Sequence, residues 1–173
     1  FADLVVPFQG LAVDDNLRRD STLEKLAKLR PAFPMHGSGT LTAGNSTPMT
    51  DGAAAVLLAS EEWARARGLP VQAWLTYGKV AAVDFVHGEG LLMAPAYGVP
   101  RMLADARLAL SDFDFYEIHE AFAAQVLCTL KAWESPEFSR DKLGLDGPLG
   151  AIANYGQGCV HRHHRGERHR RLP

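Results

Sequence analysis

The 173-residue chain has few of the features that mark secreted or membrane proteins. It contains only two cysteines, too few for the disulfide framework of a small secreted domain. It has no run of about 18 uncharged apolar residues, and its start lacks the basic end and apolar stretch of a signal peptide. With 47% hydrophobic and 22% charged residues, the composition is that of a globular protein with a core. We therefore expect a cytoplasmic protein without a membrane span.

Positive charge is scarce along most of the chain and concentrated at its end. Residues 160–173 hold five arginines, four histidines and one glutamate, a net +4, so the overall −2 leaves −6 on the rest. An acidic body is poorly suited to a groove that tracks phosphates, and we predict no nucleic-acid binding by it. For the tail three interpretations stay open: a nucleic-acid arm, an adventitious metal-binding tract, and an out-of-frame end of a GC-rich coding sequence. The abrupt change in pattern favours the third.

Two catalytic motifs are present only in part. His119 and Glu120 begin an H-E-x-x-H pattern, but position 123 is Ala123, so the second histidine that would share a zinc ion is missing. The stretch HGSGT around Ser38 lacks the G-x-S-x-G spacing of a nucleophile elbow. We expect no metal site, and we interpret Ser38 as a loop residue.

Helix and strand patterns alternate along the chain, which predicts a layered α/β protein. Ser21, with Glu24 three residues later, predicts a capped helix that ends before Pro31. A second helix pattern covers 51–68. We expect Thr50 or Asp51 to cap it, Val56, Leu57 and Ala64 to face inward, and Gly68 to stop it. Two more helix patterns cover 95–110, with Pro100 in the first turn, and 119–133. Strand patterns cover 71–86 and 113–118.

His119 lies where the strand pattern FDFYEI passes into the helix pattern HEAFAAQVLCTLKAW. In an α/β layer this junction is the carboxyl end of a strand, the usual edge of a ligand crevice. The helix start also offers unpaired N–H groups and the positive end of the helix dipole. His119 is therefore suitably placed to bind an oxygen or a water. The spacing alone leaves equally open that His119 caps the helix and Glu120 favours its first turn.

Three segments in order resemble the thiolase family: GTLTAGNSTPMTDGAAAVLLAS (39–60), GEGLLMAPAYGVPRML (88–103) and EIHEAFAAQ (117–125). The similarity covers about residues 1–152, and H-E-A-F in place of the usual N-E-A-F resembles the branch of the trifunctional-enzyme β-subunit. The resemblance implies a thiolase-type layered α/β fold that is incomplete, without most of the N-terminal half and the end of the C-terminal half. It implies four parts: 1–50, the end of a loop region with the coenzyme-A-binding loop; 51–75, the last helix and strand of the N-terminal half; 76–155, a partial C-terminal half; and 156–173, the atypical tail.

The same resemblance implies an acyl-CoA acyltransferase that cleaves or forms 3-oxoacyl-CoA in fatty-acid β-oxidation, with coenzyme A as substrate and no permanently bound cofactor. Such chemistry needs a thiolate nucleophile, a histidine base, a second thiol and oxyanion holes. The nucleophilic cysteine and the G-H-P histidine of the family are missing from this sequence, so we expect the chain alone to be inactive. The alternative is a non-catalytic fragment that binds coenzyme A weakly or a partner chain. The family also implies a homo-oligomer, with a hydratase/dehydrogenase subunit as a further candidate partner.

The resemblance assigns roles to seven residues. His119 matches the position that holds an oxyanion-hole water over the thioester oxygen. Six others match positions near coenzyme A or its acyl chain: Ala43 and Thr47 on the loop, Phe122 at the pantetheine pocket, Phe33 and Arg18 near the nucleotide, and Met93 facing the acyl chain.

The residue patterns leave other interpretations open. Phe122 and Met93 are also suited to packing in the core, and Arg18 is suited to a solvated surface. Asn45 is suited to a turn that tolerates a left-handed backbone. Cys128, inside a helix pattern, is expected to be a small buried residue, and we assign no catalytic role to Cys159.

Overall fold

A computed structural model describes residues 4–33 and 39–152, together with the backbone of 155–156. In chain order the elements are α1 (Leu23–Leu26), α2 (Glu61–Ala66), α3 (Ala94–Ala106), a 3₁₀ turn (Leu110–Asp112), β1 (Tyr116–Glu117), α4 (Ala123–Glu134), α5 (Pro136–Phe138), a π turn (Ser139–Leu143) and β2 (Tyr155–Gly156). None of the helices in these ranges has the length and apolar character needed to cross a bilayer.

The core lies where α3 packs on α4. The buried residues of α3 include Ala96, Tyr97, Pro100 and Leu103, which recur at helical spacing and form one apolar stripe. Two clusters form against this stripe: Ala96, Tyr97 and Ala132, and Leu103, Leu110 and Trp133. Both clusters combine residues of α3 and α4, so the two helices share a single interface.

Pro100 lies inside α3, and its position explains one contact across that interface. The sequence predicted Pro100 in the first turn, which is wrong: α3 begins at Ala94, and Pro95 occupies the first turn, where a missing N–H costs little. Because Pro100 has no N–H, the carbonyl of Ala96 four residues earlier loses its helical donor. The Trp133 indole Nε1 donates to that carbonyl at 3.3 Å. A side chain of α4 therefore replaces the missing backbone donor of α3.

A second polar contact holds the loop before α3. The Tyr97 hydroxyl donates to Glu89, and Lys142 Nζ donates to the other carboxylate oxygen of Glu89 at 2.7 Å. These hydrogen bonds hold the pKa of Glu89 below its usual range, with the bond from Lys142 as the largest cause. Burial, followed by the bond to Glu89, raises the pKa of Tyr97 from 10.0 to about 12. The loop that precedes α3 is thereby tied to the π turn that follows α5.

The β structure is smaller than the sequence predicted. β1 pairs with β2 in parallel, with Tyr116 opposite Tyr155 and Glu117 opposite Gly156. Residues 71–86, all of which the structure describes, form no strand, so the strand predicted there is wrong for this chain. Leu75 is 82% exposed and Val80 is 94% exposed. A strand needs a neighbouring strand for its hydrogen bonds, and this segment has none among the described residues, although Ala81 and Val83 approach α3.

The first two helices are shorter than predicted. Thr22, rather than Ser21, caps α1, because the Thr22 hydroxyl accepts from the amide of Lys25 at 3.3 Å while the Ser21 hydroxyl donates to the carbonyl of Arg18. Ser60 caps α2, so the predicted start at Thr50 or Asp51 is wrong.

The inward placement of Val56 and Leu57 is also wrong, since both are exposed in a non-helical stretch, whereas Ala64 is half-buried. Helix propensity alone does not hold a stretch that has nothing to pack on. The predicted stop agrees with the structure: α2 ends at Ala66, and Gly68 has a φ of 63°.

We predict that the contributions of Pro100 and Trp133 to stability are not additive. Pro100→Ala supplies an N–H to the Ala96 carbonyl, and this new donor has more effect once the indole donor is gone. In a Trp133→Phe background Pro100→Ala should therefore stabilise the chain by about 1 kcal/mol more than in the parent. Urea unfolding of the four proteins measures this difference. Trp63→Phe, at an exposed tryptophan, is the control background. If the effect of Pro100→Ala is the same in the parent and in both backgrounds, the Trp133 indole does not replace the missing backbone donor.

We also predict a loss of stability at high pH that involves Tyr97. Its pKa is raised by folding, so its contribution to the free energy of unfolding is complete below about pH 10 and is lost towards about pH 12. Tyr97→Phe should reduce this fall, while part of it remains because burial also raises the pKa of Tyr116. Denaturant unfolding across this pH range measures the effect. The exposed Tyr77→Phe serves as the control, and an unchanged profile in Tyr97→Phe would count against the assignment.

Candidate functional site

The junction before α4 is extended rather than helical. α4 begins at Ala123, and Phe122 has extended backbone angles of −141° and 135°. His119 and Glu120 therefore lie outside α4, and the interpretation of His119 as its cap and Glu120 as its first turn is wrong. The physical reason is tertiary pairing, because Phe122 forms an antiparallel bridge with Ser46. We call residues 119–122 the HEAF junction.

The bridge joins the HEAF junction to residues 42–47, which we call the TAGNST loop. The amide of Thr47 donates to the carbonyl of Ala121 at 2.9 Å, and the amide of Ala123 donates to the carbonyl of Asn45 at 2.9 Å. Two hydrogen bonds thus flank the Ser46–Phe122 pair, as in a short antiparallel ladder. Segments far apart in the chain, predicted separately to bind coenzyme A and to stabilise an oxyanion, lie side by side.

Internal contacts of Asn45 shape the TAGNST loop. Its Oδ1 accepts from the amide of Thr42 at 2.8 Å, and its Nδ2 donates to the carbonyl of Thr40 at 2.9 Å. The turn role of Asn45 agrees with the prediction, but its backbone is not left-handed. The loop also approaches α1 closely, since a Cβ at Gly44 would lie 2.6 Å from Leu26 Cδ2. Glycine is therefore the residue that fits this contact.

A cleft of about 300 Å³ opens between the TAGNST loop and the HEAF junction. Its lining consists of Gly44, Asn45, Ser46, Thr47, Pro48, Glu120 and Ala123. Among the described residues of this lining, Glu120 alone has an ionisable side chain. A single carboxylate among peptide groups and hydroxyls suits a neutral ligand with amide or hydroxyl groups better than it suits a phosphate.

Two predicted aromatic residues meet beside this cleft. The rings of Phe33 and Phe122 are edge to face, with centroids 6.3 Å apart and planes at 69°. Phe122 is half-buried, whereas Phe33 is 56% exposed. The pairing of Pro31 with Thr42 and the bond from the amide of Ala32 to the carbonyl of Leu41, at 2.7 Å, bring Phe33 to this position.

The other predicted site residues lie in different surroundings. His119 is exposed and precedes Glu120, which lines the cleft, and Ala43 is exposed on the TAGNST loop. Arg18 lies in the exposed segment before α1. Met93 is half-buried and packs on the cluster of Ala96, Tyr97 and Ala132, so core packing describes its contacts.

Other predictions concern residues that the structure does not describe. Ser38, Cys159 and the arginine- and histidine-rich tail lie outside the described residues. Within those residues, no three histidine, cysteine, aspartate or glutamate side chains lie close enough together to hold a metal ion.

The expected burial of Cys128 is wrong, because this cysteine is exposed. The buried residues of α4 are Val126, Thr129, Ala132 and Trp133. Cys128 follows Val126 by two residues, which places it on the opposite side of a helix with 3.6 residues per turn. The sequence shows that Cys128 belongs to a helix, but only the packing shows which face is covered.

Ser46 is a feature that the sequence analysis missed. Its Oγ is buried and makes no hydrogen bond to any described residue. No local signal distinguishes Ser46 from the neighbouring Thr47, since a serine beside an asparagine is ordinary in a turn. Its burial results from the bridge with Phe122, which sequence periodicity does not report.

We predict that Ser46→Ala is neutral or stabilises the chain by up to about 1 kcal/mol, because it removes a buried hydroxyl that has no partner among the described residues. Ser139 is the matched control: it is fully buried, and its Oγ accepts from the amide of Leu149 at 3.3 Å. Ser139→Ala should cost about 1–3 kcal/mol, because it leaves that amide unpaired. Urea unfolding compares the two variants, and equal losses would mean that the Ser46 hydroxyl has a partner in solution.

Comparisons with known proteins identify similar sequences along most of the chain. The family model "Thiolase, N-terminal domain" matches residues 1–62, and "Thiolase, C-terminal domain" matches residues 70–156. The 3-ketoacyl-CoA thiolases of Yersinia pestis and Yersinia pseudotuberculosis are 46% identical over 145 residues, which is 83% of this chain and 32% of theirs. The chain thus spans about a third of the length of the curated relatives that it matches.

Two solved structures are similar to the fold. The dimeric peroxisomal thiolase of Saccharomyces cerevisiae matches with a TM-score of 0.57 and 36% identity, over 78% of this chain and 32% of that one. The acetyl-CoA acetyltransferase from Syntrophomonas wolfei matches with a TM-score of 0.53 and 28% identity, over 75% of this chain and 30% of that one.

Proposed function

The chain belongs to the thiolase family and forms part of the thiolase fold, and from this we propose that it acts in coenzyme-A-dependent acyl transfer on 3-oxoacyl-CoA. The predicted family and the predicted incomplete thiolase-type fold are confirmed. We propose that the reaction belongs to fatty-acid β-oxidation, with coenzyme A as a substrate and no permanently bound cofactor. The names of the Yersinia relatives, which are 3-ketoacyl-CoA thiolases, support the substrate class.

The observation that carries the proposal is the pairing of the TAGNST loop with the HEAF junction. It forms a cleft bounded by Thr47 and by main-chain groups, with the Phe33–Phe122 pair beside it. The amide-bearing arm of coenzyme A is neutral and partly apolar, which matches this lining better than its phosphates do. Ala43, Thr47, Phe33 and Phe122 share this region and are our proposed contacts.

The remaining assignments rest on the family resemblance. His119 is exposed and directly precedes Glu120, which lines the cleft, and a neutral imidazole there could donate one N–H to a water or a thioester oxygen as negative charge develops. We propose this role for His119. Arg18 and Met93 stay predictions, since Arg18 lies before α1 and Met93 packs in the core.

We propose that this chain binds coenzyme A but does not turn over 3-oxoacyl-CoA by itself. Acyl transfer through a thioester needs a cysteine thiolate with a base close to it. Cys128 lies on the exposed face of α4, outside the described residues that line the cleft. The chain's coverage of about a third of its relatives agrees with a partial set of catalytic groups.

A second candidate function, binding of a partner chain, is favoured by the exposed apolar surface. Met49 is fully exposed, and Val56 and Leu58 are also exposed in a stretch without secondary structure. Surfaces of this kind usually contact another protein surface. The yeast neighbour is described as dimeric, which supports our proposal of a homo-oligomer. A hydratase/dehydrogenase partner and a cytoplasmic location stay predictions.

Calorimetric titration of the full chain with coenzyme A tests the proposal. Thr47→Val removes the hydroxyl that lines the cleft and should weaken binding by about fivefold, the effect of one hydrogen bond. Thr50→Val, at an exposed position outside the lining, is the matched control and should leave the dissociation constant unchanged. No binding by the parent at millimolar coenzyme A would overturn the cleft assignment.

A thiolysis assay with a 3-oxoacyl-CoA substrate tests activity separately. We expect no turnover above background from the chain alone. Measurable turnover that is lost in His119→Ala would contradict the proposed inactivity and would instead support a catalytic role for His119.

A further inference from the structure

Asn45 makes hydrogen bonds through all of its polar groups. The side chain joins Thr42 and Thr40, and the main-chain amide donates to the carbonyl of Thr42 at 3.2 Å. The main-chain carbonyl accepts from the amide of Ala123. We infer that Asn45 is a positioning residue that couples the TAGNST loop to the start of α4. Its effect on ligand binding rests on the proposed function, whereas the coupling itself does not.

The start of α4 depends on this contact because the helix lacks a side-chain cap. The first amides of any helix have no partner within the helix, and a polar side chain at the N-cap usually supplies one. Phe122 occupies the N-cap of α4 and offers no such group. The Asn45 carbonyl instead accepts from the first amide of the helix, that of Ala123. A loop residue therefore takes over the capping of a helix distant in sequence.

The Asn45 side chain fixes where that carbonyl lies. Its Oδ1 accepts from the backbone amide of Thr42, and its Nδ2 donates to the carbonyl of Thr40. These two bonds hold the turn closed, which limits the positions that the backbone of Asn45 can take. Alanine retains neither bond, and aspartate retains only the acceptor for Thr42. The two substitutions should therefore loosen the loop to different degrees.

The coupling has a functional consequence, because the loop and the junction hold different proposed roles. Thr47 is bonded to Ala121 on one side of the bridge, and Asn45 is bonded to Ala123 on the other. His119 and Glu120 precede this pair along the chain. If the loop moves away from α4, the proposed coenzyme A contact at Thr47 and the proposed oxyanion contact at His119 lose their mutual position. Asn45 sets this position without itself being assigned a chemical step.

Amide hydrogen exchange of the full chain, followed by NMR, tests the coupling without any ligand. In Asn45→Ala the amides of Ala123 and Thr47 should exchange about tenfold faster than in the parent, as the loss of two side-chain hydrogen bonds implies. The amide of Trp133, in the core of α4, should change less than about twofold because core amides open by a different route. Asn45→Asp should give an intermediate increase at Ala123 and Thr47.

Asn16→Ala is the matched control, since Asn16 is an exposed asparagine outside the cleft lining, and it should change neither amide. Unchanged exchange at Ala123 in Asn45→Ala would overturn the inference, and so would an equal increase at Trp133, which would mean a general loss of stability. If Asn45→Ala does not fold, Asn45→Asp decides by the same criteria.

Titration of the same proteins with coenzyme A separates this inference from the proposed function. Coupling predicts that coenzyme A binding weakens about tenfold in Asn45→Ala and less in Asn45→Asp, following the order of the exchange rates. If the Asn45 variants show the selective exchange changes but the parent does not bind coenzyme A, the result supports the coupling and rejects the proposed function. If the parent binds coenzyme A and both Asn45 variants bind it equally tightly, Asn45 does not position the ligand site.

Discussion

The hydrogen bond from the Trp133 indole to the Ala96 carbonyl is the constraint on which the folded part of this chain depends. Pro100 removes the backbone donor that this carbonyl would have in a regular helix, and a carbonyl buried without a donor is costly. The Trp133 indole supplies a donor from α4, and this contact favours the arrangement in which α4 lies against α3 with Trp133 facing Ala96. The two apolar clusters form around this contact. The missing backbone donor in α3 and the two apolar clusters together favour the observed orientation of α4.

The candidate site depends on the other end of α4. Trp133 holds the helix near its carboxyl end, whereas Asn45 and Thr47 contact the residues at its start. The cleft is therefore bounded by a helix that is held at both ends and by a loop whose shape depends on one asparagine. In the stretches 51–60 and 71–86 most of the large apolar side chains lie exposed, although Val83 packs on the cluster of Ala96, Tyr97 and Ala132.

The sequence predicted those elements whose pattern agreed with their packing. Helices that include all but the last residue of α4 and all but the first residue of α3 were predicted, although the one predicted over 95–110 ends at Ala106. The strand pattern that contains Tyr116 and Glu117, the stop at Gly68 and the turn at Asn45 were also predicted. The errors occur where a distant segment decides the outcome. The start of α4 moved from His119 to Ala123 because the HEAF junction pairs with the TAGNST loop, and Cys128 is exposed because α3 covers the opposite face.

The sequence by itself determined the family and the amphipathic stripes of the two main helices, because motifs and helical periodicity are local properties of residue order. It also determined which residue types are available for the site. Only the tertiary structure decided that Asn45 caps α4, that the Ser46 hydroxyl is buried, and that Thr47 and Glu120 line one cleft. Each of these depends on hydrogen bonds between segments far apart in the chain. The partner in such a bond is chosen by packing, and no local pattern records it.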